Sequence, residues 1–188
     1  SALHDAAPSL GLGSVNLDAT VQSEVRHWFS QNDAILENTN AFVCCGKVAG
    51  IGGQRNLDMY VNNTLMAVNL LTHLAQYQKT GKTVYYSSSC VYPTALNNFK
   101  ESDMFKGPFE PSNEGYALGK ASGQKLCEYL NESLGRNQFL TLVPPNLYGD
   151  NDNWDIETCH VLPAITQKIR AAQLRGDSTL ELWGVPDT

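Results

Sequence analysis

The sequence lacks the features that mark membrane proteins and nucleic-acid-binding proteins. No apolar run approaches the roughly 18 residues of a membrane helix, and the N-terminus has no basic-then-apolar signal segment. Thirteen basic residues stand against nineteen acidic ones, which gives a net charge of −6, and no Lys/Arg cluster stands out. We therefore expect a soluble, cytoplasmic protein with no nucleic-acid or membrane partner.

The sequence also offers little for a disulfide framework or a metal site. Its five cysteines are odd in number and include no CxxC pair, which favours a reducing compartment and argues against bound zinc. Only 17% of the residues are charged, whereas 42% are hydrophobic. The composition thus predicts a globular chain of 188 residues that can bury a core and holds no metal.

What the sequence does contain is an alternation of strand and helix patterns. Apolar, β-branched or aromatic runs predict strands at 41–45, 83–87, 139–143 and 179–183. Apolar residues at helical spacing predict four helices: one capped by Asp18, one from Leu57 to near Gly81, and two over 116–134 and 161–174. This alternation predicts an α/β fold whose parallel sheet is covered on both faces, with its chemistry at the carboxyl ends of the strands.

Tyr116 and Lys120 are the first candidates for chemistry. Their spacing of four places them on one face of a predicted helix, one turn apart. A nearby ammonium stabilises a phenolate, so we expect Lys120 to lower the pKa of Tyr116 from about 10 toward neutral. The pair would then form a proton donor for a carbonyl or alcohol. The alternative is an exposed tyrosine beside a solvated lysine.

The second candidate is the segment SSSCVYP at 87–93, which directly follows a predicted strand. Serine hydroxyls at a strand end can hydrogen-bond a substrate oxygen, and Cys90 is a candidate thiol base. The alternative is a serine-rich turn with a buried cysteine.

Taken together, the strand-end serine and the YxxxK helix resemble the short-chain dehydrogenases/reductases, specifically their extended branch that acts on nucleotide sugars. Within that branch the sequence is most similar to the GDP-L-fucose synthases. The resemblance lies in four stretches: GKVAGI (46–51), SSCVYP (88–93), NEGYALGKASGQKLCE (113–128) and NLYGDNDNW…HVLPA (146–164). It implies a Rossmann-like, doubly wound parallel sheet.

The resemblance also implies roles for five residues. Ser88 and Tyr116 would share the substrate oxygen, and Lys120 would bind the nicotinamide ribose. Cys90 and His160 match the pair that exchanges protons at carbons 3 and 5 of GDP-4-keto-6-deoxymannose. Those protons are acidic because the carbon 4 ketone allows an enolate to form, and hydrogen-bond donors at its oxygen stabilise it. The implied function is an NADPH-dependent epimerase and reductase.

Binding residues and a partner follow from the same resemblance. The residues that match cofactor contacts are Tyr86, Ser87, Ser88, Ser89, Lys120, Pro144, Pro145, Asn146, Leu147 and His160. Lys168 and Trp183 match positions that bind the GDP-sugar. The two long helices match a two-fold interface, which implies a homodimer.

The sequence departs from the family at several points. The family begins with a strand and a GxxGxxG turn that seats the cofactor pyrophosphate at a helix N-terminus, and this sequence contains neither. Pro145 replaces a usual threonine, Ser87 a common glycine and Lys168 a usual arginine. We expect an irregular lead-in over 1–15 and a partial NAD(P)-binding domain over 16–188, incomplete at both ends and inactive by itself.

Two other functions stay open on the sequence alone. A nucleotide-sugar 4-epimerase or dehydratase with tightly bound NAD shares the tyrosine and lysine but does not need Cys90 or His160. A non-catalytic fragment or binding module would account for the missing glycine-rich turn.

Overall fold

The computed structural model describes residues 11–13, 16–48, 56–96, 98–156 and 159–182. Their helices are α1 (Gln22–Gln31), α2 (Asp33–Leu36), α3 (Asn56–Tyr77), α4 (Glu114–Leu134) and α5 (Val161–Arg175). Their strands are β1 (Ala41–Val43), β2 (Thr83–Tyr86) and β3 (Phe139–Leu142), and short 3₁₀ turns occupy Ser89–Val91, Glu101–Asp103 and Pro111–Asn113. None of these helices is long and apolar enough to span a membrane.

The three strands form a parallel sheet with β2 in the centre. Ala41 of β1 pairs with Thr83, and Thr83 pairs with Phe139 of β3. The crossover from β1 to β2 contains α3, and the crossover from β2 to β3 contains α4. These successive βαβ units confirm the predicted α/β fold and bring the carboxyl ends of all three strands to one edge.

The core lies on one face of the sheet, where Val43, Tyr85 and Phe139 are buried. The side chains packed in the same cluster come from α1, α3 and α4, and include Val25, Phe29, Ala67, Leu71, Leu74 and Cys127. On the other face, Phe42, Leu140 and Leu142 stay 54%, 57% and 40% exposed. Among the described residues, α1, α3 and α4 all pack on this buried face, and the covering of the second face stays a prediction.

Two local predictions, of a helix cap and of a strand, are wrong. The Asp18 carboxylate accepts hydrogen bonds from the backbone N–H and hydroxyl of Thr20, and α1 begins at Gln22 with Val21 as its N-cap. A short acidic side chain that is satisfied within its own turn does not cap a later helix. Residues 179–182 form no strand, because no strand of the described chain pairs with them. Trp183 and the first ten residues of the predicted lead-in lie outside the described residues.

Two buried asparagines of α3 fasten earlier segments of the chain to this helix. Asn63 donates from Nδ2 to the carbonyl of Lys47 and accepts from the Lys47 N–H, both at 3.0 Å. Asn69 donates to the carbonyl of Ala19 at 2.9 Å. The first of these side chains therefore fixes the segment that leaves β1, which forms part of the site described below.

Glycines set the distance between α3 and α4. A Cβ atom at Gly115 would lie 2.0 Å from the carbonyl oxygen of Asn56, and one at Gly119 would lie 2.7 Å from Cβ of Asn63. Both distances are far below van der Waals contact, so these two helices can approach this closely only with glycine at those positions. The glycines lie one turn apart, each next to a candidate site residue of α4.

The described residues divide into two compact units. One lies within Ser1–Lys47 and Arg55–Pro144, and the other within Val48–Gln54 and Pro145–Thr188. The sheet, α3 and α4 belong to the first unit, whereas α5 belongs to the second and ends at Gly176, whose φ is 74°. The predicted organisation as one partial domain over 16–188 stays a prediction.

We predict that Gly119→Ala lowers the free energy of unfolding by about 1–2 kcal/mol. Overpacking costs about 1–3 kcal/mol, which exceeds the gain of up to about 1 kcal/mol for replacing glycine by alanine in a helix. Urea unfolding followed by circular dichroism measures the change. The matched control is Ser133→Ala on the exposed part of the same helix, for which we expect a change within about 0.5 kcal/mol. Unchanged or increased stability of Gly119→Ala would contradict the packing argument.

Candidate active site

The turn after β2 presents Ser88 and Cys90. Ser88 has extended backbone dihedrals and N-caps the 3₁₀ turn Ser89–Val91, accepting a hydrogen bond from the Cys90 N–H at 3.3 Å. Serine is a preferred N-cap residue because its oxygen satisfies a backbone donor of the first turn. The turn thereby holds Cys90, which is half-buried, two residues beyond the strand-end serine.

The first two turns of α4 carry Tyr116 and Lys120 on one face. The Ser88 hydroxyl is hydrogen-bonded to the Tyr116 phenol. Ser88 thus accepts from the Cys90 N–H on one side and contacts the phenol on the other. This connection runs from the strand-end turn to the helix, so the two sequence candidates form one cluster.

Lys120 joins α4 to the ends of two strands. Its Nζ donates to the carbonyl of Cys45, just past β1, at 2.9 Å, and to the carbonyl of Tyr86, the last residue of β2, at 3.0 Å. The side chain is only 4% exposed. A Cβ atom at Gly46 would lie 3.1 Å from Nζ, so glycine at this position leaves room for the ammonium.

This arrangement fits a ribose-binding role for Lys120. An ammonium has three N–H donors, and in the described residues two of them are directed to carbonyl groups. The third is available for a hydroxyl acceptor such as that of a cofactor ribose.

Burial determines the protonation of both residues. It raises the pKa of Tyr116 above its ordinary 10.0; the hydrogen bond with Ser88 opposes that rise, and the negative charge that Cys90 can carry adds to it. Burial also lowers the pKa of Lys120, against an opposing effect of Cys45. The expectation that Lys120 lowers the pKa of Tyr116 is therefore wrong for this structure. Its ammonium lies 6.0 Å from the phenol ring centroid and is bonded to carbonyl oxygens instead.

Cys90 has a side-chain partner that the sequence argument did not identify. Asn113 donates from Nδ2 to Cys90 Sγ at 2.9 Å. Cys90 also lines a cavity of about 240 Å³ together with Tyr92, Phe99 and Glu110. The cavity lies beside the turn that carries Ser88 and Cys90.

The remaining predicted residues lie in different places. Ser87 is buried, and its hydroxyl has no hydrogen-bond partner among the described residues. Ser89 begins the 3₁₀ turn, and Pro144 is the last residue of the first unit. In the second unit, Pro145, Asn146 and Leu147 are exposed loop residues, His160 is the exposed N-cap of α5, and Lys168 is half-buried on α5. Their roles stay predictions, as does that of Trp183.

The structure adds four residues to the candidate site: Cys45, Gly46, Asn63 and Asn113. Gly46 and Asn113 lie inside sequence stretches that resemble the family, but neither stretch indicates which atom each contributes. Cys45 contributes a backbone carbonyl, which residue type cannot reveal. Asn63 acts through Lys47, and only its position on the buried face of α3 could have suggested this.

We predict that the Tyr116 phenol ionises only above pH 10 and that Ser88→Ala moves this ionisation higher. The Ser88 hydrogen bond favours the phenolate, so its loss leaves the effect of burial unopposed. Titration of tyrosine labelled with carbon-13 at Cζ measures the midpoint by NMR, with Tyr116→Phe identifying the resonance. Ser89→Ala, one residue further along the turn, serves as the control. A midpoint below 10, or a downward shift in Ser88→Ala, would contradict this account.

The chain is similar in sequence and fold to known proteins. The family model described as "NAD dependent epimerase/dehydratase family" matches residues 4–187. The GDP-L-fucose synthase of Azorhizobium caulinodans is 41% identical over 125 residues, which cover 65% of this chain and 39% of that protein.

Solved structures give the same result. A GDP-L-fucose synthetase from Naegleria fowleri bound to NADP matches with a TM-score of 0.78 at 26% identity, covering 93% of this chain and 56% of that one. A GDP-mannoheptose C4 reductase from Campylobacter jejuni with NADP bound matches with a TM-score of 0.76 at 28% identity, covering 87% and 47%. The chain spans about half the length, or less, of these relatives.

These matches confirm the resemblance to GDP-L-fucose synthases and the Rossmann-like fold. The match of the family model covers nearly the whole chain, including both the strand-end turn and α4. The chain belongs to the NAD dependent epimerase/dehydratase family.

Proposed function

We propose that the protein is an NADPH-dependent epimerase and reductase of a GDP-4-keto-6-deoxy sugar, as in GDP-L-fucose synthesis. The observation that carries the proposal is the placement of the Cys90 thiol beside the hydrogen-bonded Ser88–Tyr116 pair. The pair provides hydrogen-bond donors for a carbonyl oxygen, and the thiol provides a base for the adjacent C–H bond. A site for 4-epimerisation alone does not require the thiol.

The Tyr116 phenol is the proton donor of the proposed reaction. Because its pKa lies above 10.0, the phenol is protonated at neutral pH and can donate a hydrogen bond to the carbon 4 carbonyl. Ser88 is bonded to the same phenol and lies at the same strand end. Two hydroxyls next to one oxygen stabilise the negative charge that develops there, both during enolate formation and during reduction.

Proton exchange is assigned to Cys90 and His160. The Cys90 thiolate takes a proton from a carbon next to the ketone, which leaves an S–H bond and an enolate whose charge lies on the carbonyl oxygen. Return of a proton to the opposite face of that carbon inverts it and restores the ketone. His160 is proposed as the second proton carrier, since an imidazole can both accept and donate a proton.

NADPH, when bound, supplies the hydride that reduces carbon 4. The residues proposed to hold it are Lys120, with its third N–H, the strand-end residues Tyr86, Ser87, Ser88 and Ser89, and Pro144, Pro145, Asn146, Leu147 and His160. Tyr116 protonates the alkoxide formed at carbon 4. Lys168 and Trp183 are proposed to contact the GDP-sugar, where a lysine interacts with phosphate as a point charge.

We predict three outcomes with NADPH and GDP-4-keto-6-deoxymannose in deuterated buffer, measured on the protein that carries this sequence. The wild type consumes NADPH and incorporates deuterium at carbons 3 and 5. Tyr116→Phe slows NADPH consumption by about 10²–10⁴-fold because the proton donor is lost. Cys90→Ser slows deuterium incorporation by about 100-fold or more. Ser133→Ala, which changes an exposed residue near the far end of α4, is the control.

The outcomes separate the alternatives. NADPH consumption without deuterium at carbons 3 and 5 would identify a carbon 4 reductase, the activity named for the Campylobacter jejuni relative. Epimerisation at carbon 4 with no consumption of NADPH would identify a 4-epimerase. If the protein neither catalyses a reaction nor binds NADPH, the result would favour the alternative of a non-catalytic module.

We also propose a homodimer in the cytoplasm. The surface that supports the dimer is apolar and lies on the two long helices. Its exposed residues on α3 are Leu57, Val61, Leu65 and Val68, and those on α4 are Leu118 and Tyr129. A second copy would remove this surface from water, which is the usual reason for contiguous exposed apolar side chains. The five free cysteines support a reducing compartment.

We predict that Val61→Asp combined with Leu65→Asp converts a dimer into a monomer in sedimentation equilibrium. Two carboxylates buried in an apolar interface would have no partners, which is costly. Leu174→Asp is the control, since this leucine is 82% exposed on α5. A wild type that sediments as a monomer at micromolar concentration would refute the dimer.

A further inference from the structure

Cys90 is held by two hydrogen bonds, one at its backbone and one at its sulfur. The backbone N–H of Cys90 donates to Ser88 Oγ at 3.3 Å, and Asn113 Nδ2 donates to Sγ at 2.9 Å. The first bond fixes the turn and the second fixes the side chain. Asn113 therefore restrains the sulfur close to the Ser88–Tyr116 pair.

Asn113 does not perform the role that its position favours. It is the N-cap of α4, where an asparagine oxygen ordinarily accepts a hydrogen bond from the first turn of the helix, yet its side chain makes no capping bond. Asn56 of α3 takes over part of this role, since its Oδ1 accepts from the Gly115 N–H at 3.0 Å. The amide of Asn113 is thereby left to contact the cysteine.

The orientation of this amide has a cost. Asn113 Oδ1 is buried and has no hydrogen-bond partner among the described residues. A buried acceptor without a donor is unfavourable, so its presence calls for an explanation. Here the reason is that the N–H side of the amide faces the sulfur. A thiolate is a far better acceptor of that bond than a thiol, because charged acceptors make stronger hydrogen bonds.

We infer that Asn113 is a positioning residue for Cys90, orienting the sulfur and stabilising its thiolate for proton abstraction from the sugar. The role of the thiolate as a base rests on the proposed function, whereas the contact between Asn113 and Cys90 does not. Asn113 acts through the sulfur and touches no reacting atom.

Site-resolved alkylation tests the contact without substrate. Iodoacetamide reacts with the thiolate, and peptide mass spectrometry separates modified Cys90 from modified Cys44, which is exposed and serves as the internal reference. We expect Asn113→Ala to slow the alkylation of Cys90 relative to Cys44 by about tenfold. Asn113→Asp keeps the side-chain shape but removes the donor and adds a negative charge, so we expect about 100-fold slowing.

Controls separate positioning from folding. Ser112→Ala changes the neighbouring residue, whose hydroxyl bonds Glu110 rather than Cys90, and should leave the ratio of rates unchanged. If thermal melting shows that Asn113→Ala does not fold, the nearly isosteric Asn113→Asp decides the result. A ratio within twofold of wild type in a folded Asn113 variant would overturn the inference.

Kinetics provide the second measurement. In the proposed reaction, Asn113→Asp should lower kcat for deuterium exchange at carbons 3 and 5 by about tenfold or more and leave KM for the nucleotide sugar within twofold. An unchanged kcat with slowed alkylation would overturn the catalytic part of the inference. Absence of exchange in the wild type itself would refute the proposed function, and alkylation would still decide whether Asn113 controls Cys90.

Discussion

The buried ammonium of Lys120 is the contact on which the arrangement of the site depends. It reaches from α4 to the carbonyl groups of Cys45 and Tyr86, so one side chain connects a helix to the ends of β1 and β2. Burying a charge is unfavourable unless hydrogen bonds replace its water, and two carbonyl oxygens do so here. Burial lowers the pKa of Lys120. The helix is thus anchored at the same sheet edge where the candidate reactive groups lie.

The same anchoring explains the state of Tyr116. The ammonium is engaged by carbonyl oxygens, so it does not offset the burial that keeps the phenol protonated. A protonated phenol suits the donor role proposed for the reduction. Hydrogen bonds connect Tyr116 through Ser88 to the backbone of Cys90, so the groups assigned to reduction and to proton exchange are parts of one network. A displacement of one of these groups would therefore change the positions of the others.

Much of this arrangement could be predicted from the sequence. The apolar period indicates α3 and α4, and Gly135, with φ of 62°, ends α4 where its residue type suggests. Parallel strands end at one edge, and helical spacing puts Tyr116 and Lys120 on one face, so their proximity to Ser88 follows from elementary geometry.

The rest depends on three-dimensional contacts that residue types do not encode. Burial raises the pKa of Tyr116, whereas the sequence spacing indicates only that a cation, Lys120, lies nearby. Asn113 has the residue type of an ordinary N-cap, and only the contact of Asn56 with Gly115 leaves it to bind the sulfur. Residues 179–182 have strand-like composition but no pairing partner in the described chain, and pairing is what makes a strand.

The close contact of α3 and α4 also affects how this site can diversify. Gly115 and Gly119 have no room for even one additional carbon. They directly precede Tyr116 and Lys120, which carry the phenol and the ammonium. Between β2 and α4, by contrast, Thr94 and Phe99 are exposed, and both border the cavity beside Cys90. Insertions and new side chains can be accommodated in that connection without moving the helix. We therefore expect changes in the ligand accepted at this site to arise in the segment before α4, while the packing volume of the helix stays nearly constant among related sequences.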